Sequence, residues 1–227
     1  MPQHPEATVP HITRLIVDQL VDGSLRRGDR LSTEHIAEAT EVSRAPVREA
    51  LRELAVLGVV DYVPNRGFRV PPPPKAQDLE ALLDVRDMLE PTAHAYAAER
   101  ATAEEAEAIV RAFERGIAAE FSGDHGQAAR LHHQGLRAIV DATHHRELQR
   151  VLEPLIIRSA LHFPALRAAA DTNGLHGHRS SAQAIADRDP EAAKLLAQEH
   201  LTFLRRLVGT VTPDARPRVR TRRPQTS

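Results

Sequence analysis

The chain has 227 residues, a formal net charge of −1, no cysteine and only 3% aromatic residues. This length suffices for a small domain of about 70 residues and a larger one of about 140. The lack of cysteine excludes disulfides, thiolate catalysis and thiolate metal ligands. We expect a cytoplasmic protein without membrane contact, because the sequence has no apolar run of about 18 residues and no signal-peptide pattern at its start. Since the chain is nearly neutral, binding to nucleic acid would need a local basic patch.

The first informative pattern is a pair of helical segments joined by a short polar turn. Thr33–Ala39 is a short helical segment, Thr40–Ser43 is the turn, and a longer amphipathic segment follows it. Ser43 is a good N-cap, Pro46 falls in the first turn, and Gly58 can end the helix in a left-handed conformation. This spacing is typical of a helix-turn-helix.

The second of these segments carries arginines on one face. Arg44, Arg48 and Arg52 are four residues apart and share a side of the predicted helix. The apolar stripe on the opposite side consists of Val47, Ala50, Leu51 and Leu54. Such a helix can enter a major groove and reach phosphates and guanine edges. On spacing alone, a solvated amphipathic helix with ordinary surface arginines is an equal alternative.

A β-hairpin is predicted directly after this helix. The runs Val59–Val63 and Gly67–Val70 are rich in β-branched and aromatic residues, and they flank Pro64, Asn65 and Arg66. An arginine at the tip of a hairpin suits insertion into a minor groove, whose negative potential attracts it. The hairpin therefore favours a winged DNA-binding domain over a plain surface helix.

Residues 10–70 resemble the winged helix-turn-helix of the GntR family of bacterial transcription regulators. The blocks that match in order and spacing are Leu15–Val21, Asp22–Leu25, Gly28–Ser32, Val42–Arg52 and Asn65–Val70. The resemblance implies that DNA is contacted by residues of the second helix and of the wing, namely Ser43, Arg44, Pro46, Arg48, Asn65, Arg66 and Gly67. Many relatives have an arginine shortly after the Leu31-Ser32 pair. This chain has Glu34 and His35 there, so that phosphate contact is not carried over.

Four consecutive prolines, Pro71–Pro74, mark the predicted boundary between two domains, because they favour a stiff extended spacer. We expect a winged helix-turn-helix over 1–70, a linker over 71–77, a helical domain over 78–211 and a disordered basic tail over 212–227. The helical patterns lie near Asp78–Ala101, Ala103–Phe121, Gly126–Ala142, Glu147–Leu161, Gly174–Ala186 and Pro190–Val208. Pro154 should kink or divide the helix that contains it. The predicted fold class is mainly α, with an antiparallel helical bundle after the winged domain.

The helical half resembles the C-terminal domain of the FadR-like subgroup, an FCD-type domain that binds a small ligand and dimerises. The matching segments are Arg86–Glu90, His178-Arg179, Ala184–Ala193 and Glu199–Leu201. Many members hold a divalent metal with an aspartate and three histidines. His178 and His200 match the last two ligands, whereas His132 stands where the aspartate belongs and Leu136 where a histidine belongs.

Two hypotheses for this site stay open. His132, His178 and His200 could bind one divalent ion such as zinc, with water or an effector carboxylate completing the shell, and a small shift could offer His133 instead. Alternatively, the histidines are ordinary buried residues of an effector pocket without metal. Arg86 and Arg158 are candidates for pairing with an acidic effector, although each could form a structural salt bridge.

The sequence predicts a homodimeric, effector-responsive transcriptional regulator, a repressor that binds a palindromic operator in double-stranded DNA. Arg44 and Arg48 would contact the major groove and Arg66 the minor groove. One alternative is a helical metal-dependent enzyme that carries a DNA-binding module; it lacks a metalloprotease motif, a nucleophile elbow and a phosphate-binding loop, so no catalytic residue is assigned. Another is a nonspecific nucleic-acid binder that uses the arginine helix and the basic tail.

Overall fold

The computed structural model of the chain describes residues 8–72, 74–161 and 176–211. In these ranges the helices are α1 Val9–Val21, α2 Thr33–Ala39, α3 Arg44–Val56, α4 Ala76–Arg100, α5 Ala103–Phe121, α6 His125–Ala142, α7 Arg146–Ala160, α8 His176–Ala186 and α9 Pro190–Val211. The strands are β1 Arg30–Leu31, β2 Asp61–Val63 and β3 Gly67–Arg69. The mainly α fold class is confirmed, and the predicted tail over 212–227 lies outside the described residues.

The N-terminal domain packs α1, α2 and α3 against a small antiparallel sheet with the strand order β1-β3-β2. Its core is formed by the buried apolar faces of α1 and α3 together with Leu31, Val59, Val60, Phe68 and Val70. Gly58 follows α3 with a φ of 67°, the left-handed ending that the sequence predicted. The predicted helix-turn-helix is therefore present, with α3 as its second helix.

The wing is the hairpin of β2 and β3, in which Val63 pairs with Gly67 and Asp61 pairs with Arg69. Its turn places Asn65 at a φ of 61°, a left-handed conformation that asparagine tolerates better than most residues. The additional strand β1 was not predicted. It pairs Arg30 with Arg69. A strand of two residues is too short to show the alternation of apolar and polar residues by which strands are predicted.

The helical domain contains α4 to α9. Helix α5 packs along α6, α6 packs along α7, and the long helix α4 packs mainly along α9. The core is poor in aromatic residues; it consists mainly of alanine, leucine and isoleucine from these helices. Pro154 does not divide α7, which continues from Arg146 to Ala160, so that part of the prediction is wrong. In the same way α4 continues through Pro91 over 25 residues. Packing against neighbouring helices outweighs the missing N–H at both prolines.

The two domains share a continuous apolar core. Ala129 of α6 and Ile157 and Ala160 of α7 pack into the N-terminal cluster. Beside them, Arg130 of α6 forms an ion pair with Asp22, which directly follows α1. Helix α6 therefore connects the interior of the helical domain to the N-terminal domain. Among the residues that the structure describes, no helix is long and apolar enough to cross a membrane.

Candidate nucleic-acid interface and buried polar cluster

Helix α3 presents its arginines to solvent. Arg44, Arg48 and Arg52 are exposed. The opposite face, Val47, Ala50, Leu51 and Leu54, is fully buried in the core. The helix is thereby fixed by its apolar face, and the guanidinium groups stay available on the outside.

The start of α3 leaves a hydroxyl group in solvent. Ser43 occupies the N-cap position with an extended backbone, but its side chain makes no capping hydrogen bond. The exposed Ser43 hydroxyl therefore lies at the positive end of the helix dipole, where anions bind favourably. Pro46 is half-buried in the first turn.

The wing tip lies beside this helix. Asn65 and Arg66 are exposed, and Gly67 begins β3 with a φ of 79°. A surface groove of about 750 Å³ runs between the wing and α3, with Arg48 and Arg52 on one side and Tyr62 and Gly67 on the other. The sequence-predicted DNA contacts thus lie in the first part of α3 and in the turn of the wing, the two elements that border this groove.

One carboxylate lies on the same face. Glu34 is in the first turn of α2, and its Oε1 lies 3.4 Å from Nη1 of Arg44. Hydrogen bonds from its own backbone N–H and from the Ser32 hydroxyl hold the pKa of Glu34 below its usual value. Glu34 is a departure from the family pattern that is visible in the sequence, whereas its contact with Arg44 depends on the packing of α2 against α3.

A second group of functional candidates lies in the interior of the helical domain, on α4. Arg86 and Glu90 are each 1% exposed, with Nη2 of Arg86 2.7 Å from Oε2 of Glu90. The Nε–H of Arg86 donates to the same oxygen at 2.8 Å. One turn further, Nδ1 of His94 donates to the backbone carbonyl of Glu90 at 2.9 Å. Of this group, only Arg86 was predicted from the sequence as a functional residue; Glu90 and His94 were not.

Three histidines from other helices join this group. The ring centroids of His132 on α6 and His178 on α8 are 4.3 Å apart. Those of His178 and His200, the latter on α9, are 3.6 Å apart. Phe113 of α5 stacks on His178 with a centroid distance of 5.2 Å and an interplanar angle of 7°. The structure therefore brings together the three histidines that the sequence predicted. With Arg86, Glu90 and His94 they form the buried polar cluster, in which His132 is half-buried and the other five residues are buried.

Desolvation keeps these imidazoles neutral. Burial, followed by the charge of Arg86, lowers the pKa of His132 to about 3. Burial and the neighbouring imidazoles hold the pKa of His178 well below its usual value. For His200 burial is again the main cause of a strongly lowered pKa, and His132 and Arg86 add to it. A neutral imidazole can accept a proton or bind a metal through its free nitrogen.

The donor chemistry of the cluster suits a metal, whereas its ring geometry does not. Both ring nitrogens of His178 and Nε2 of His200 are buried without a hydrogen-bond partner in the described part of the chain. Within that part, however, no group of three or more histidine, aspartate or glutamate side chains is arranged to hold an ion. The rings of His178 and His200 pack against each other at 3.6 Å.

A narrow cavity adjoins the cluster and is lined by Arg86, His132 and His133 together with apolar side chains such as Leu136 and Ile156. Its free volume of about 10 Å³ admits about one water molecule. Arg158 does not line this cavity. It lies at the domain interface, where its side-chain atoms are 3.9 Å from the place of a Cβ on Gly58.

Comparisons with known proteins match both halves of the chain. The model of the bacterial regulatory proteins of the gntR family matches residues 8–70. The model of the FCD domain matches residues 81–203.

Two bacterial regulators illustrate these similarities. An uncharacterized HTH-type transcriptional regulator of Bacillus subtilis (strain 168), YcbG, is 28% identical over 202 residues, covering 84% of this chain and 85% of YcbG. The HTH-type transcriptional regulator McbR of Escherichia coli (strain K12) is 31% identical over 140 residues, 62% of this chain and 63% of McbR.

Solved structures share the fold. The structure of E. coli McbR/YncC superimposes with a TM-score of 0.74 at 24% identity, over 89% of this chain and 97% of that one. A putative GntR regulator from Rhodococcus sp. RHA1 gives a TM-score of 0.68 at 21% identity, over 92% and 99% of the two chains. With a winged helix-turn-helix followed by an FCD domain, the chain belongs to the GntR family of transcriptional regulators, in its FadR-like branch, and is not an enzyme.

Proposed function

We propose that this regulator is a cytoplasmic repressor that binds a palindromic operator as a homodimer and responds to a small carboxylate effector in its FCD domain. The observation that carries the proposal is the pairing of an exposed arginine face on α3 with a buried polar cluster in the helical domain. Helix α6 joins the two regions, because it carries both His132 of the cluster and Arg130, the ion-pair partner of Asp22.

On the DNA side, Arg44 and Arg48 would contact base edges and phosphates in the major groove, and Arg66 would enter the minor groove. The hydroxyl of Ser43 and the amide of Asn65 would donate to phosphates. Pro46 and Gly67 would contribute by close backbone approach. All of these residues lie on the face formed by α3 and the wing, most of them exposed.

On the effector side, a carboxylate would compete with Glu90 for Arg86, which lines the cavity. Since the cavity admits only about one water molecule, an effector must separate the helices around it in order to enter. A shift of α6 would then reach Asp22 through Arg130. A coupling of about 1–3 kcal/mol between effector and DNA is typical of such regulators. Arg158, at the domain interface, would act on this coupling and not as a ligand.

The homodimer is supported by an apolar surface on α4. Met88 is 74% exposed and Val85, one turn before it, is 39% exposed. Exposed apolar side chains of this kind are common in subunit interfaces. Sedimentation of the purified protein should give twice the chain mass at micromolar concentration, whereas a monomer at every concentration would contradict the homodimer.

A divalent ion on His132, His178 and His200 is a second candidate within the same site, supported by the buried ring nitrogens of His178 and His200 that have no hydrogen-bond partner in the described part of the chain. To bind the ion, the rings of His178 and His200 would have to turn out of their present packing. Bound there, it would add a positive charge that attracts an effector carboxylate. Metal analysis of untagged protein should give about one equivalent per chain if the ion is present, and none in a His178→Ala/His200→Ala variant. A metal-free protein that still responds to its effector would contradict the metal site and leave the metal-free effector pocket as the explanation.

The DNA-binding role is tested by selecting an operator from a random duplex library with the full-length protein, then measuring affinity after Arg48→Ala. We expect affinity for the selected operator to fall by about 1–3 kcal/mol without loss of folding. Arg111→Ala is the matched control, since Arg111 is an exposed arginine of the helical domain. An unchanged operator affinity in Arg48→Ala would contradict the role of α3. Equal affinities for operator and scrambled duplex would instead identify a nonspecific binder.

A further inference from the structure

Glu34 places a negative charge on the face that presents arginines to DNA. It is exposed, and it borders the groove between α3 and the wing together with Arg30 and Arg48. A carboxylate at this place weakens the attraction for every DNA sequence alike, because the phosphates are negative. A gain in overall affinity for DNA therefore does not explain why a glutamate occupies position 34.

The Glu34 side chain is held in place. Its Oε2 accepts a hydrogen bond from the Ser32 hydroxyl at 3.1 Å, and the hydroxyl oxygen in turn accepts from the backbone N–H of His35 at 3.3 Å. Ser32 is the N-cap of α2, so the carboxylate is attached to the end of a helix that packs on α3. Glu34 is charged at neutral pH, as an exposed glutamate is, and the hydrogen bonds from its own backbone N–H and from Ser32 lower its pKa further.

The held carboxylate reaches Arg44, the first residue of α3. Nη1 of Arg44 lies 3.4 Å from Oε1 of Glu34, and the two side chains are 63% and 54% exposed. An ion pair this exposed contributes little to folding stability. It does restrict the directions that the long Arg44 side chain can take, which reduces the ordering that DNA binding requires.

We propose that Glu34 is a positioning residue that holds the Arg44 guanidinium toward a base edge and so sets the discrimination between DNA sequences. An arginine without this partner can turn to the nearest phosphate, and phosphates are the same on every sequence. An arginine held by a carboxylate presents its remaining N–H groups in a fixed direction, as bidentate contact with a guanine requires. The inference rests on the proposed contact of Arg44 with DNA.

The test compares Glu34→Gln with the unaltered full-length protein on two duplexes, the operator selected by the unaltered protein and a scrambled duplex of the same composition. We expect Glu34→Gln to bind the scrambled duplex about 3- to 10-fold more tightly, since one negative charge is removed. Operator affinity stays unchanged or falls. The specificity ratio, which is the affinity for the operator divided by the affinity for the scrambled duplex, therefore drops by about tenfold. Glu38→Gln is the matched control, because it removes an exposed charge from the same helix; its ratio should stay within about twofold of the original.

Further outcomes decide between the explanations. Equal gains on both duplexes in Glu34→Gln, or no change on either, would overturn the positioning role. In the double variant Arg44→Ala/Glu34→Gln the second substitution should no longer alter the ratio, because the residue being positioned is absent. If Arg44→Ala alone leaves operator affinity unchanged, the proposed DNA contact fails and the positioning role with it. Weakened operator binding in Arg44→Ala together with equal gains in Glu34→Gln overturns the positioning role alone.

Discussion

Arginine occupies two opposite environments in this regulator. On α3, Arg48 is exposed, and the fold depends only on the apolar face beneath it. On α4, Arg86 is 1% exposed and lies against Glu90 among neutral histidines. A surface arginine can be replaced at little expense to stability, and it is therefore free to serve binding. A buried one needs its partner in place, so the stability of the FCD domain depends on Glu90 as well as on Arg86.

The largest difference between the two environments should appear on acidification. His94, His132, His178 and His200 are neutral in the fold because burial lowers each pKa. In the unfolded chain they titrate near about pH 6.5, so below that pH the unfolded state binds more protons and the free energy of unfolding falls. At pH 5.5 the loss is about 1.4 kcal/mol for each histidine that stays neutral, and about 6 kcal/mol in total for the four whose pKa is lowered most, His132, His133, His178 and His200.

Urea unfolding of the regulator at pH 7.5 and pH 5.5 measures this loss. Burial raises the pKa of Asp141 and Glu153, which offsets part of it. The variant His178→Asn should lose less stability between the two pH values, by about the contribution of one histidine. A stability that does not depend on pH in this range would mean that the cluster histidines are solvated.

The sequence predicts the exposed arginine face far better than the buried cluster, because the first depends on local rules. Helix periodicity separates Arg48 from Leu51, and the turn residues Asn65 and Gly67 define the wing. Such signals lie within a few residues of each other. Glu90 and His94 give no comparable signal, since they are polar residues in a long helix whose buried side is also partly polar.

Contacts between segments that are distant in sequence explain the other features that the sequence did not predict. The pairing of β1 with β3 and the ion pair of Asp22 with Arg130 join residues far apart in sequence. Pro154 is tolerated inside α7 because neighbouring helices pack around it, which the local rule for proline does not include. The histidine positions followed from resemblance to the family, whereas the ring packing of His178 and His200 required the structure.

Removal of one partner from the buried ion pair should give the next largest effect. Glu90→Leu leaves Arg86 charged and without its carboxylate, which should lower the free energy of unfolding by about 3–5 kcal/mol. The exposed pair of Glu107 and Arg111 on α5 has the same four-residue spacing and is the matched control. There, Glu107→Leu should change stability by less than about 1 kcal/mol. Equal losses in chemical denaturation would show that burial does not distinguish the two pairs.

A smaller effect is expected from the packing around Phe113, the ring that stacks on His178. In Gly135→Ala the added Cβ would lie 2.6–2.9 Å from the Phe113 ring, so the ring must move away from its place. We expect a loss of about 1–3 kcal/mol, as for overpacked cores. Gly116→Ala is the control, because its Cβ would meet nothing closer than 3.5 Å and alanine favours a helix. Thermal unfolding in which Gly116→Ala is less stable than Gly135→Ala would contradict this packing.

Substitutions of exposed arginines on α3 and on the wing should have the smallest effect on stability. Arg48→Ala and Arg66→Ala each remove an exposed side chain, so the free energy of unfolding should change by less than about 0.5 kcal/mol. The same variants should weaken operator binding, and Arg66→Ala should do so most for operators with a narrow minor groove, where arginine is attracted most strongly. Urea unfolding and operator titration on one protein preparation measure both quantities. If Arg48→Ala left a substantial fraction of the protein unfolded under the conditions of the operator titration, its weaker binding would follow from unfolding, and the separation between a replaceable binding face and an irreplaceable interior would fail.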